Sequence, residues 1–274
     1  MERERLRMLR RLIRVAPVLG LTLLASAVAS TPSTAQGAAR QRRTAGPAGK
    51  ITVTWLGHAS FLVTSPGGTQ IMIDPFLRQN PSTPDSLKDT SRYHPAAILV
   101  THSHFDHAAD AKAIALASGA PIVASFDWAQ TLGLPAAQVK GVNVGGTVKI
   151  GDVVIHAVPA VHGSVPDGRP LGFVLEFADG RRLYHTGDTW IFGDMSLIQE
   201  LYHPNIILLC VGGGPYTEGP KEAALAVRKY FRPSVIIPMH YGTFPALATA
   251  ADVRAAFRGD RRLKVMTPGE TLQF

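Results

Sequence analysis

Apolar residues in this chain recur in short runs rich in Val, Ile and aromatics, bounded by Gly, Pro, Asn or Asp. That pattern predicts strands over 51–56, 61–64, 69–73, 97–101, 121–124, 153–158, 172–177, 182–185, 206–210, 235–238 and 264–266. Ala-rich stretches predict helices over 108–117, 220–230 and 250–257. The second opens with Pro220, whose fixed φ and missing N–H suit a first helical position. Strands dominate the first half, strand–helix alternation follows, and no internal repeat is evident from Lys50 on.

Before Lys50 the pattern changes. Six Arg between Arg3 and Arg14 precede an apolar stretch from Val15 to about Val28, with small residues at Ala27 and Ala29 or at Ser33 and Ala35. This is the order of a secretory signal peptide. An apolar stretch of roughly 14 residues is shorter than the roughly 20 that span a bilayer, so cleavage is expected and stable membrane insertion is not. The expected division is a signal peptide over 1–29, with cleavage as late as 35, a flexible linker over 30–49 and a folded domain over 50–274. The product is then exported, periplasmic or secreted; an uncleaved N-terminal anchor is the alternative. Arg10-Arg11 faintly resembles a twin-arginine signal.

Composition narrows the class. Of 274 residues 46% are hydrophobic, which excludes disorder, and a single cysteine, Cys210, excludes a disulfide scaffold. The net charge of +8 suggests nucleic acid until it is located: ten of the 28 basic residues lie at or before Lys50 against Glu2 and Glu4, leaving 18 of each sign beyond. A folded part that is neutral overall gives no support to a phosphate-tracking surface, so no nucleic-acid partner is expected.

The sharpest chemical signal is Thr101-His102-Ser103-His104-Phe105-Asp106-His107, directly after the apolar run 97–100. A strand ending there, with a helix beginning near Asp106, crowds three imidazoles and a carboxylate into one turn. They converge only where a cation offsets their desolvation; a solvated His-rich loop is the alternative. His102 and His104 can chelate one ion, while Asp106 and His107 can begin a second site. His162, Asp188 and His240 each follow an apolar strand and complete a set.

The chain resembles the metallo-β-lactamase superfamily, in its bacterial metal-dependent hydrolase branch related to the ascorbate-6-phosphate lactonases. The resemblance rests on Trp55-Leu56-Gly57-His58-Ala59-Ser60-Phe61, Ile73-Asp74-Pro75-Phe76, the His102 to His107 cluster, Gly145-Gly146-Thr147, His185-Thr186-Gly187-Asp188-Thr189, Phe192-Gly193-Asp194-Met195, Gly219-Pro220-Lys221-Glu222-Ala223-Ala224 and Pro238-Met239-His240-Tyr241-Gly242-Thr243-Phe244-Pro245. It implies an α/β fold, an αββα sandwich of two mixed β-sheets flanked by helices. It further implies His102, His104 and His162 on one metal, Asp106, His107 and His240 on the other, and Asp188 bridging them. The cofactors are then two divalent ions, Zn2+ by default, with Mn2+ or Fe as alternatives.

Asp106, Asp188 and His58 are the expected catalytic residues, His58 as a proton donor or, alternatively, a structural hydrogen-bonding group. His185 is expected behind the ligands. Asp74 either orients a ligating imidazole or caps the turn before Pro75. The Gly-rich run 212–219 is a candidate substrate loop. Trp190 is expected as packing or a pocket wall, and Cys210 as a small buried hydrophobe. Two positions depart from the family's pattern: Glu218 where relatives carry Met, and Val161 where they carry Trp.

The expected function is a dinuclear metal-dependent hydrolase directing a metal-bridging hydroxide at a small-molecule ester, lactone, amide or phosphodiester. The alternatives are a non-catalytic metal- or ligand-binding protein of the same fold, a narrow-sense β-lactamase, and an iron-dependent oxidoreductase. Homo-oligomers through an exposed edge strand are open.

Overall fold

The structure, a computed structural model, describes residues 49–166 and 168–274. The expected signal peptide, and the expected linker up to residue 48, lie outside the described residues. No helix among the described residues is long and apolar enough to cross a membrane.

The first half of the chain lays down one sheet in sequence order: β1 (Thr52–Gly57), β2 (Ser60–Thr64), β3 (Gln70–Ile73), β4 (Ala97–Leu99), β5 (Ile122–Ser125) and β6 (Val139–Val142). It begins as an antiparallel meander and continues parallel from β3 to β6. A second sheet follows from β7 (Thr147–Ile150), β8 (Val153–Pro159), β9 (Leu171–Glu176), β10 (Arg182–His185), β11 (Ile206–Cys210) and β12 (Val235–Met239). It too runs antiparallel and then parallel, from β10 to β12. Finally β13 (Thr271–Gln273) returns to the first sheet and pairs with β1.

Alternation within the strands explains the layers. Val53 and Trp55, Ile71 and Ile73, and Ala97 and Leu99 join residues of the second sheet in the core. Their neighbours Leu56, Met72, Ile98 and Val100 face outward against α2 (Ala111–Ser118) and α3 (Phe126–Thr131), which follow the single turn α1 (Phe105–Ala108). With both faces covered, a strand has no polar side, and it reads as an unbroken apolar run. The second sheet is covered by α4 (Met195–Tyr202), α5 (Pro220–Tyr230) and α6 (Ala250–Ala256), whose inward residues include Met195, Ile198, Ala223, Ala226, Val227 and Val253. Pro220 starts α5 and the Thr249–Asp252 capping box starts α6.

The expected sandwich is therefore present, with local differences. Residues 264–266 form no strand; only Leu263 makes an isolated bridge, to Ile236. The helix expected over 108–117 divides into α1 and α2. Strands β6, β7 and β13 and helices α3 and α4 carried no sufficient pattern and were not expected.

The topology also sets the position of the chemistry. Strands β1, β3 and β4 run in one direction, as do β8, β10 and β12, and each candidate donor follows the C-terminal end of one of them. Open sheets present their crevices at such ends.

Candidate metal centre

At the ends of β4, β8, β10 and β12 the structure brings together five imidazoles and two carboxylates: His102, His104, His107, His162, His240, Asp106 and Asp188. One group is His102, His104 and His162. A second is Asp106, His107 and His240, together with His58. Asp188 touches both, with Oδ1 3.3 Å from His107 Nε2 and Oδ2 2.9 Å from His240 Nε2 and 3.7 Å from His162 Nε2.

Two observations test whether a cation fits. In the first group His102 Nε2 and His104 Nδ1 are 2.9 Å apart, and His104 Nδ1 and His162 Nε2 are 3.3 Å apart. Nitrogens bound tetrahedrally at about 2.0–2.1 Å would be about 3.3 Å apart. In the second group the Nε2 atoms of His107 and His240 are buried beside Asp188 without hydrogen-bond geometry. Buried polar atoms normally have partners, so these orphaned nitrogens beside a carboxylate fit a cation as their missing partner. The donor set fits divalent ions of the zinc, manganese or iron kind.

The surrounding shell holds these groups in place. Asp74, fully buried, accepts from the Thr101 backbone N–H (2.7 Å), the Thr101 hydroxyl (2.7 Å) and His107 Nδ1 (2.8 Å), which leaves His107 Nε2 free to face the centre. Burial alone would lower the His107 pKa, but the carboxylates of Asp188 and Asp74 outweigh it and raise it well above the usual imidazole value. Burial would raise Asp188, yet His240 and His107 hold it well below the usual carboxylate range. Asp106 is likewise held low: burial is outweighed by its hydrogen bond with His58 and by the neighbouring His107.

His58 lies beneath the cavity floor, fully buried. Its Nε2 is 3.1 Å from Asp106 Oδ2 and its Nδ1 is 3.0 Å from the Thr243 hydroxyl. Burial and the neighbouring His240 depress its pKa to about 4. The ring is neutral at pH 7, so Nε2 donates to the Asp106 carboxylate and Nδ1 accepts from Thr243. His185 is also buried, but it bonds to the Ala59 carbonyl and the Gly187 N–H and touches none of the donors.

Backbone geometry is specialised here. His58, Asp74 and His240 all have positive φ, at 55°, 47° and 63°. This conformation costs a non-glycine residue about 1 kcal/mol or more and concentrates at functional sites. Gly212, after β11, is required by close approach: a Cβ there would lie 2.4 Å from His240 Nδ1. Cys210 is more than a small hydrophobe, because its Sγ is 3.8 Å from Asp188 Oδ1. Burial, with Asp188 and Glu218 nearby, raises its pKa well above the ordinary thiol value.

A cavity of about 580 Å³ opens over the donors, lined also by Phe105, Tyr216 and residues 244–247. Of the candidate substrate loop only Tyr216 lines it. Glu218 is fully buried and its carboxylate oxygens have no hydrogen-bond partner, so this departure places no charge in the cavity. Trp190 is half exposed and stands outside the lining. Residues 244–247 were not expected in the wall, since a loop after a ligand strand carries no periodic signal.

A two-sheet sandwich that gathers such donors at its strand ends defines a class of layered metalloproteins. Residues 52–240 match the family model described as the β-lactamase superfamily domain. A UPF0173 metal-dependent hydrolase of Myxococcus xanthus is 43% identical over 260 residues, covering 90% of this chain and 91% of that protein. One from Pyrobaculum islandicum is 43% identical over 230 residues, covering 81% and 100%. The solved structure of Igni18, a metallo hydrolase from Ignicoccus hospitalis, superposes with a TM-score of 0.71 at 35% identity, over 82% of this chain and 98% of that one. The chain belongs to the β-lactamase superfamily, among its metal-dependent hydrolases.

Proposed function

We propose that the protein is a dinuclear hydrolase of a small molecule with an ester, lactone, amide or phosphodiester bond. The observation that carries this is the pair of three-donor groups sharing Asp188 at the floor of an open cavity. In this assignment His102, His104 and His162 hold one ion, Asp106, His107 and His240 the other, and Asp188 both. When bound, two such ions supply Lewis acidity and a water acidic enough to attack at neutral pH.

The chain's own residues do the rest. Asp74 fixes the His107 tautomer, and His58 fixes the Asp106 carboxylate through Nε2. Asp106 and Asp188 border the position a scissile group would take, and Asp106 can accept a proton there with the His58–Thr243 pair behind it. His58, covered by the cavity floor, acts through Asp106.

Elemental mass spectrometry on the purified chain tests the assignment. About two equivalents of metal per chain are expected, and the same spectrum names the metal. One equivalent or none, in folded protein supplied with excess metal, overturns the dinuclear proposal. The Arg-rich leader carries a further proposal, export, which N-terminal sequencing of the protein recovered outside the cytoplasm tests.

A further inference from the structure

We propose that the substrate is an uncharged ester or lactone with an apolar flank, an acyl chain or aryl ring that lies against Phe105, Phe244 and Leu247. This deepens the hydrolase proposal above and rests on it. Three observations carry it. First, among the described residues no Lys or Arg lines the cavity, and the only carboxylates there are Asp106 and Asp188, which belong to the donor set. A substrate carrying a remote phosphate or carboxylate would have no cation or guanidinium fork to meet it, and an unpaired charge against an apolar wall is costly.

Second, the wall is built rather than incidental. Phe76, buried, stacks its edge against Phe105 at 5.6 Å and lies 6.4 Å from Phe244, and Phe105 and Phe244 are 6.3 Å apart. Phe244 also meets the His58 ring at 5.6 Å. Phe105 is nevertheless 62% exposed and Tyr216, also in the lining, 59% exposed, so large apolar faces remain open to the cavity. Third, Phe105 stands in the chain between the donors His104 and Asp106. The apolar surface therefore begins beside the reacting centre, and the apolar group of the substrate must adjoin the scissile bond. A volume of about 580 Å³ suits a small molecule.

The test holds the scissile bond constant and varies only the flank. Metal-loaded full-length chain is assayed with p-nitrophenyl acetate, butyrate and hexanoate and with the mono-p-nitrophenyl ester of adipic acid, which carries a carboxylate at the chain end. We expect kcat/KM to climb with chain length, by up to about fourfold per fully buried methylene, and the hexanoate to exceed the adipate ester about tenfold or more. Phe244→Ala should flatten the chain-length dependence. Ala246→Lys, which adds a cation to the lining, should bring the adipate ester up towards the hexanoate. An adipate ester turned over as well as the hexanoate, or a flat chain-length series in the wild type, overturns the proposal while leaving the hydrolase assignment intact.

If none of these esters is turned over, assays with a bis-p-nitrophenyl phosphodiester and a p-nitroanilide decide whether the hydrolase assignment fails as well, and binding decides the apolar subsite proposed here. Saturation-transfer NMR compares hexanophenone with its chain-end carboxylate, 6-oxo-6-phenylhexanoate, on the metal-free chain. Transfer to the ketone alone, lost in Phe244→Ala, supports an apolar subsite. Equal transfer to both, or to neither, overturns it.

Discussion

The backbone N–H of His240 donates to the carbonyl of His58 at 3.1 Å, and the two rings lie 3.9 Å apart between centroids. One residue follows β12 and the other β1, so this contact joins the two sheets at the centre of the site. Replacing His58 by Ala leaves Asp106 without its donor and places Ala at positive φ. Occupancy of the Asp106, His107 and His240 position should weaken about 10–100-fold, with the His102, His104 and His162 position retained. Metal titration followed by elemental analysis should read this as one tight equivalent where the dinuclear proposal expects two for the wild type. Equal weakening of both would show that His58 does not act through Asp106.

Gly212→Ala makes a separate demand on His240. The added methyl would overlap His240 Nδ1 and also approach the His240 carbonyl at 2.6 Å. Relief requires backbone movement, at about 1–3 kcal/mol. A lowered melting temperature together with loss of the second equivalent of metal is expected; wild-type behaviour in both would mean that the loop yields without disturbing His240.

Asp74→Asn preserves shape but exchanges one acceptor oxygen for a donor and removes the charge that fixes His107. Metal affinity should fall about 10–100-fold. Competition with a chelator of known affinity measures it. Unchanged affinity would mean that the Thr101 contacts, rather than His107, are the reason for a carboxylate here.

Glu218 gives a pH prediction. Burial and the Glu222 charge raise its pKa from 4.5 to about 8. Between those values the folded chain keeps a proton that the unfolded chain releases, so this group's contribution makes stability fall as pH rises from 4.5 to 8. Glu218→Met removes both the titration and two unpartnered oxygens. The variant should gain on the wild type by a few kcal/mol (order of magnitude) by about pH 8, with little advantage near pH 4.5. Urea melts at the two pH values check this, and a gain independent of pH would exclude titration of Glu218 as its source.

Legibility in the sequence followed burial. Runs such as 97–100 and 206–210 announce strands because both faces are covered. The unexpected strands β6, β7 and β13 are all sheet edges, short and with Lys140, Lys149 or polar residues in the pattern, as edges that resist further pairing require. Helix α4 turns Met195, Ile198 and Tyr202 inward but also carries the exposed Leu197 and Leu201, so the sequence does not mark off a single apolar face. Within the site, donors were visible because His and Asp are chemically distinctive and follow apolar strands. The roles of Gly212 and Thr243, and the wall at 244–247, depend on contacts between segments far apart in sequence. The inward burial of Glu218 has the same origin and no local mark.

In the proposed assignment each donor triad draws on both sheets: His102 and His104 follow β4 and His162 follows β8, while Asp106 and His107 follow β4 and His240 follows β12. Ion binding and sheet association are then linked equilibria. A site that exists only in the closed sandwich stabilises it by about 2.7 kcal/mol when free ion stands at a hundred times its Kd, if the unfolded chain does not bind the ion. The melting temperature thereby becomes a function of free metal concentration, and a chelator acts on this protein as a mild denaturant.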